Sequence, residues 1–134
     1  MIETTIVYEG GLHTVATHGP SGCTITTDAP KDNQGKGEAF SPTDLVGAAL
    51  GACTLTIMGI VAERRGINMK GATLKVVKEM AAAPERRIAA LRMELTMPPG
   101  IPEDARAVLL AAAEKCPVKK SLSADIAMPL HINW

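Results

Sequence analysis

From Ile88 to Met97 the chain alternates: Ala89, Leu91, Met93, Leu95 and Met97 fall on one side, and Ala90, Arg92, Glu94 and Thr96 on the other. A period of two predicts a strand with one buried face. Thr73 to Met80 predicts its hairpin partner, across a turn that contains Pro84. Near the N-terminus, Thr4 to Tyr8, Leu12 to Thr17 and Cys23 to Thr27 are β-branched runs separated by Gly10-Gly11 and Ser21-Gly22. They predict a small antiparallel meander. Residues 28–39, DAPKDNQGKGEA, predict an exposed loop.

Helical spacing appears in two places. Ser41 suits an N-cap, Pro42 the first helical position, and Asp44 the position of a capping-box acid, so a helix is predicted from Pro42 to about Arg65 with Gly66 as its stop. A second begins at Pro102-Glu103-Asp104, with Ala105, Val108, Leu109 and Ala112 on its apolar face and basic Lys115 near its end. Cys116-Pro117 interrupts it, Val118 to Leu122 predicts one further turn, and Ile126 to Asn133 a last strand. The class is α+β, and 134 residues without a repeat or linker predict a single domain over 1–134.

The first helix is unusual. Leu45 to Ala62 are 18 consecutive uncharged residues, the lower limit of a membrane span. Three Gly and two Thr within the run, and the sheet-like alternation elsewhere, point instead to a soluble core helix. A helix apolar on every side must be surrounded by protein, and one chain of this length hardly wraps it. Gly47, Ala48, Ala49, Gly51, Ala52 and Gly59 would admit a close-packed neighbour, so a second copy of the chain is expected to complete the burial as a homodimer.

Composition narrows the function. Fourteen basic residues balance 14 acidic ones, leaving no electrostatic footprint for nucleic acid or an anionic membrane. The N-terminal MIETTIVYEGG has no basic stretch before a long apolar run, so a cytoplasmic protein without a secretory signal is expected. Three cysteines at wide spacing make no disulfide framework, and with three histidines they make no metal-ligand spacing, so no metal or other cofactor is expected.

A buried cysteine is ordinarily inert packing, and Cys53 alone carries no more than that. Cys116 adds to it. If Pro117 opens a helical turn, Cys116 lies at or near an N-cap, where backbone N–H groups favour a thiolate. Cys23, on a strand among threonines, has no such setting.

Ser41-Pro42-Thr43-Asp44-Leu45, Ala48-Ala49-Leu50-Gly51-Ala52-Cys53 and Ala113-Glu114-Lys115-Cys116-Pro117 together resemble the OsmC/Ohr family of osmotically inducible and organic hydroperoxide resistance proteins. The resemblance covers essentially the whole chain. It implies an intertwined homodimer with antiparallel sheets wrapped around long central helices. It implies reduction of organic hydroperoxides in oxidative-stress defence: Cys53 attacks the peroxide and becomes a sulfenic acid, Cys116 condenses with it to a disulfide, and an external dithiol resets the pair. The family also supplies an arginine from the N-terminal strands and a glutamate after the helix-opening proline. Those positions fall on His13 and Thr43. His13 then becomes the candidate base, with Asp44, one position off the glutamate, and Glu38 as candidate carboxylates. Arg64 shares the helical face of Cys53 but lies about 16 Å along the axis. His18 and His131 have weaker claims. The alternative function is a non-catalytic dimer that binds a small lipophilic molecule in its interface cleft.

Overall fold

The computed structural model describes all 134 residues. They form two compact units, Met1–Val46 and Gly47–Trp134.

The first unit is the predicted meander: β1 (Thr4–Gly10), β2 (His13–His18) and β3 (Thr24–Asp28), paired antiparallel in that order. Gly10 and Gly11 both take positive φ at the first turn, where L side chains are disfavoured. A bulge between Tyr8 and Gly10 adjusts the register there. The loop that follows holds one 3₁₀ turn, Lys31–Asn33. Of the strand residues only Thr27 and Asp28 are buried, while Ile6, Val7, Tyr8 and Ile25 stay exposed.

Helix α1 (Pro42–Arg64) begins as the capping signals predict. Asp44 Oδ2 accepts the Ser41 N–H at 2.8 Å, and Ser41 Oγ accepts the Asp44 N–H at 3.1 Å. This reciprocal box satisfies two donors that a helix start leaves open. At its end Gly66 has φ +67, with Ile67 N–H donating to Ala62 O and Gly66 N–H to Glu63 O, a glycine stop that uses the last carbonyls.

The second unit is a sheet of β4 (Thr73–Ala81), β5 (Arg87–Thr96) and β6 (Leu130–Asn133), in that order, with α2 (Glu103–Ala113) and α3 (Pro117–Ser121). Here the expectation of purely antiparallel sheets is corrected. Strands β4 and β5 are antiparallel, but β6 runs parallel to β5, pairing Met93 with Leu130 and Leu95 with Ile132. A parallel neighbour needs a crossover connection, and α2 with α3 supplies it. The last strand is also shorter than its apolar run. Ala127 already bridges to Ala90, but Pro129 has no N–H to donate, and regular pairing starts at Leu130.

The alternation in β5 holds from Leu91 to Met97, where odd positions are buried and Arg92, Glu94 and Thr96 are exposed. It fails at its start. Glu79 pairs with Ala90 but Met80 with Ile88, so Ala89 is an extra residue in a bulge, and the buried positions switch to Ile88 and Ala90. The core comprises Met58 and Ala62 from α1, Leu95 and Met97, and Ile101, Ala105, Leu109, Ala112 and Ala113 around α2. Val108 is only half-buried, and α2 ends before Lys115.

Although α1 is long and apolar enough to cross a membrane by length and composition, within this chain it buries one stripe: Gly47, Leu50, Gly51, Thr54, Met58 and Ala62. Ala48, Ala49, Ala52, Thr56 and Ile60 remain exposed. Two of the small residues serve the chain's own sheet. A side chain on Gly47 would meet Leu91 and Val76, and one on Gly51 would come within 3.1 Å of both Leu74 and Val76. Gly51→Val is therefore expected to overpack the helix–sheet contact and to destabilise the fold by about 1–3 kcal/mol. Urea denaturation checks this, and wild-type stability would show that the contact yields freely.

Candidate active site

The site is built from the middle of α1 and the junction between α2 and α3. Cys53 follows the buried Gly51 by two positions, so it sits beside the buried stripe of α1 and is half-buried. After α2 ends at Ala113, Cys116 takes a non-helical conformation as N-cap of α3, with Pro117 at the first helical position. Proline suits that place because its missing N–H would have no helical partner. The Cys116 side chain is fully buried. Its sulfur accepts the Lys119 N–H at 3.5 Å, and its carbonyl accepts the Lys120 N–H at 3.1 Å. Lys119 Nζ in turn holds Glu114 Oε2 at 2.6 Å, an ion pair that spans the turn.

Cys53 and Cys116 are both free thiols, and they lie near enough for each to affect the other's ionisation. Sixty-three positions apart in sequence, they meet because α2 packs on the same core as α1. The predicted N-cap setting of Cys116 is what the fold provides, and it divides the two sulfurs electrostatically. Burial pushes the Cys53 thiol above its ordinary value of 9.0, the adjacent Cys116 adds to this, and the Val118 N–H offsets only part of it. Burial also opposes ionisation of Cys116. There it is outweighed by donors: the Cys53 thiol, the Lys119 N–H, the Thr54 hydroxyl and the Val118 N–H together hold Cys116 below 9.0.

Thr54 went unread in the sequence. It is 1% exposed, with its hydroxyl 2.9 Å from the Leu50 carbonyl and 3.9 Å from Met93 Sδ. In the fold it shares the inward stripe with Leu50 and Met58, four residues either way.

Of the other candidates, His13, His18, Glu38, Thr43 and Asp44 lie in the first unit, and Arg64 and His131 in the second. His13 Nδ1 is 2.6 Å from Asp28 Oδ1, and its Nε2 is 3.7 Å from Glu9 Oε2. Asp28 is buried, and its second oxygen accepts the Glu38 N–H at 3.0 Å. The hydrogen bond from His13 is the main influence that holds the Asp28 carboxyl below its ordinary 3.8, helped by the Glu38 N–H and by Lys36, against burial. A carboxylate on Nδ1 fixes the ring and leaves Nε2 as acceptor in the neutral imidazole. Asp44 closes the capping box, and Thr43 Oγ1 bonds Ser41 Oγ at 3.1 Å. His18 bonds Ser21, His131 bonds Asn133, and Cys23 is exposed. No cluster of three His, Cys, Asp or Glu side chains is placed to hold a metal. A cavity of about 460 Å³ lies among Arg65, Asn68, Lys70 and Pro98-Pro99-Gly100, and its lining includes neither thiol.

A sheet-backed central helix that presents one thiol to a second, capped thiol defines a dithiol α+β protein. Residues 35–130 match the OsmC-like protein family, and the chain belongs to it. A Psychrobacter arcticus protein, provisionally described as an osmotic stress induced and detoxification response protein, is 42% identical, with a TM-score of 0.94 over 99% of this chain and 96% of that one. The fold is shared with an organic hydroperoxide resistance protein from Legionella pneumophila (18% identity, TM-score 0.79, 100% and 97% coverage). It is shared also with one from Bacillus subtilis (16% identity, TM-score 0.71, 99% and 98%). No curated protein matches the chain.

Proposed function

We propose that this protein is a thiol peroxidase that reduces organic hydroperoxides, with Cys53 as the attacking sulfur. One observation carries the reading: two free thiols from distant parts of the chain are brought together as close neighbours in a largely apolar setting. The Cys53 sulfur attacks the peroxide oxygen, the O–O bond breaks, and an alcohol leaves. The resulting sulfenic acid is condensed by Cys116 to a disulfide with release of water. An external dithiol takes the disulfide back to two thiols, closing the cycle.

The working unit in this reading is a homodimer. The exposed Ala48, Ala49, Ala52 and Ile60 of α1 and Ile6, Val7 and Tyr8 of β1 are apolar surface that a second copy would cover. His13, at the family's arginine position and oriented by Asp28, enters as an acid–base group rather than a fixed cation. Asp44 enters as the group that fixes the start of α1. A reducing, cytoplasmic setting suits three free thiols.

Peroxide consumption with a dithiol reductant tests this. A thiolate is the reactive form, the pair loses its first proton below the ordinary thiol value of 9.0, and no arginine stands at the His13 position. Consumption is therefore expected to be slow near pH 6 and to rise toward about pH 8. A rate that is already fast and flat across that window contradicts the reading, and no consumption at any pH would favour a ligand-binding role instead.

A further inference from the structure

We infer that Asp28 is a positioning residue that makes the orientation of the His13 ring conditional on closure of the loop over residues 29–39, so that ring and loop act as one two-state unit. That the ring serves turnover rests on the peroxidase reading; the coupling between ring and loop does not.

The clasp is built where β3 runs into the loop. His13 and Asp28 stand directly opposite each other in the β2–β3 ladder, so their side chains leave the sheet on one face. Asp28 is 5% exposed, and a carboxylate so placed needs donors to match its charge. Each oxygen has one. Oδ1 lies 2.6 Å from His13 Nδ1, and Oδ2 accepts the Glu38 N–H at 3.0 Å, across the neck of the loop. The backbone closes the same neck: Asp28 N–H donates to Phe40 O, and Gly37 N–H to Ala29 O. Inside it, Asn33 N–H and Gly35 N–H both donate to Pro30 O. Only glycine fits at position 35 of the closed loop, because a methyl group there would overlap the Ala29 carbonyl. The other charged groups nearby leave the clasp intact. Glu9 Oε2 stands 3.7 Å away on the Nε2 side of the ring, and Lys36 favours the Asp28 charge.

One carboxylate therefore holds two partners, and neither bond is independent of the other. With the loop open, water reaches Oδ2 and solvates the charge, which weakens its hold on the His13 Nδ1–H. Without His13, closing the loop buries a carboxylate one donor short, and opening it returns that group to water. The coupling runs equally in both directions. In the closed state the ring proton sits on Nδ1, toward Asp28, and Nε2 is the accepting nitrogen. A ring released into water carries its proton mainly on Nε2, so an open loop removes the accepting nitrogen together with its orientation.

Nitrogen-15 NMR of three proteins tests this without turnover: wild type, Gly35→Ala, which cannot close the loop yet alters neither His13 nor Asp28, and His13→Ala, whose missing ring signal also assigns His13. At alkaline pH, where an imidazole is neutral, the wild-type His13 ring is expected to be protonated on Nδ1. The ring of Gly35→Ala is expected to move toward the Nε2-protonated form. In His13→Ala, amide exchange at Gly37 and Glu38 is expected to be about tenfold faster than in wild type, the scale of one hydrogen bond to a charged group, with the amides of β5 unchanged. A His13 ring that keeps its Nδ1 proton in Gly35→Ala overturns the coupling. So do loop amides of His13→Ala that exchange at the wild-type rate, or that speed up only as much as those of β5. Peroxide consumption then tests the link to turnover. A loss in Gly35→Ala that accompanies the ring shift supports the positioning role, and full turnover with a shifted ring overturns it. Failure of the peroxidase reading looks different: wild type itself consumes no peroxide, and the ring and amide signals still decide the coupling.

Discussion

Cys53→Ser is expected to reduce peroxide-driven, dithiol-dependent turnover to background. A serine hydroxyl at this position has the same neighbours, but it ionises far outside the physiological range and cannot form either the sulfenic acid or the disulfide. The loss should exceed about a thousandfold, or about 4 kcal/mol of transition-state stabilisation. Cys23→Ser is the matched control: Cys23 is free and exposed and lies on no route to the pair, so turnover should be unchanged. Peroxide decay under excess reductant measures both. Residual turnover within about tenfold of wild type in Cys53→Ser would move the attacking sulfur elsewhere.

Leu95→Ala carries the largest expected effect on stability. Leu95 is fully buried in β5 and belongs to the cluster that holds Met58 of α1 and Leu109 of α2. Removing its isobutyl group loses the transfer free energy of the buried carbons and leaves a cavity that rigid neighbours only partly fill, at about 2–5 kcal/mol. Against a typical total of about 5–15 kcal/mol this is a large share. It also reaches the site, because α2 carries Cys116 to Cys53 only while α2 and α1 share that core. Glu94→Ala, one residue away on the exposed face, is expected to stay within about 0.5 kcal/mol of wild type. Urea denaturation of both variants checks the contrast, and equal midpoints would refute this account of the core.

The parts legible in the sequence were those that local chemistry decides. Ser41, Pro42 and Asp44 form a box within four residues, so the start of α1 could be read from them alone. Gly66 stops the helix because only the chain's next two N–H groups are involved. Cys116 before Pro117 likewise announced its N-cap. What stayed hidden depends on tertiary pairing. The direction of β6 is set by the crossover through α2 and α3, and nothing within Leu130 to Asn133 encodes it. The bulge at Ala89 arises from the match between two strands, and alanine fits either face. The contribution of Thr54 was obscured because α1 is apolar all round, so no periodicity marked which stripe turns inward. The surroundings of Cys116 stayed hidden too, because its sulfur accepts the Lys119 N–H, and backbone N–H groups leave no trace in residue identity.

Intact-mass spectrometry after one equivalent of an alkyl hydroperoxide tests the central claim most directly. The account predicts a loss of two hydrogens, mapped by digestion to a bridge between Cys53 and Cys116 and reversed by a dithiol. An unchanged mass, or oxygen added to the seven methionines while both thiols stay reduced, would contradict it.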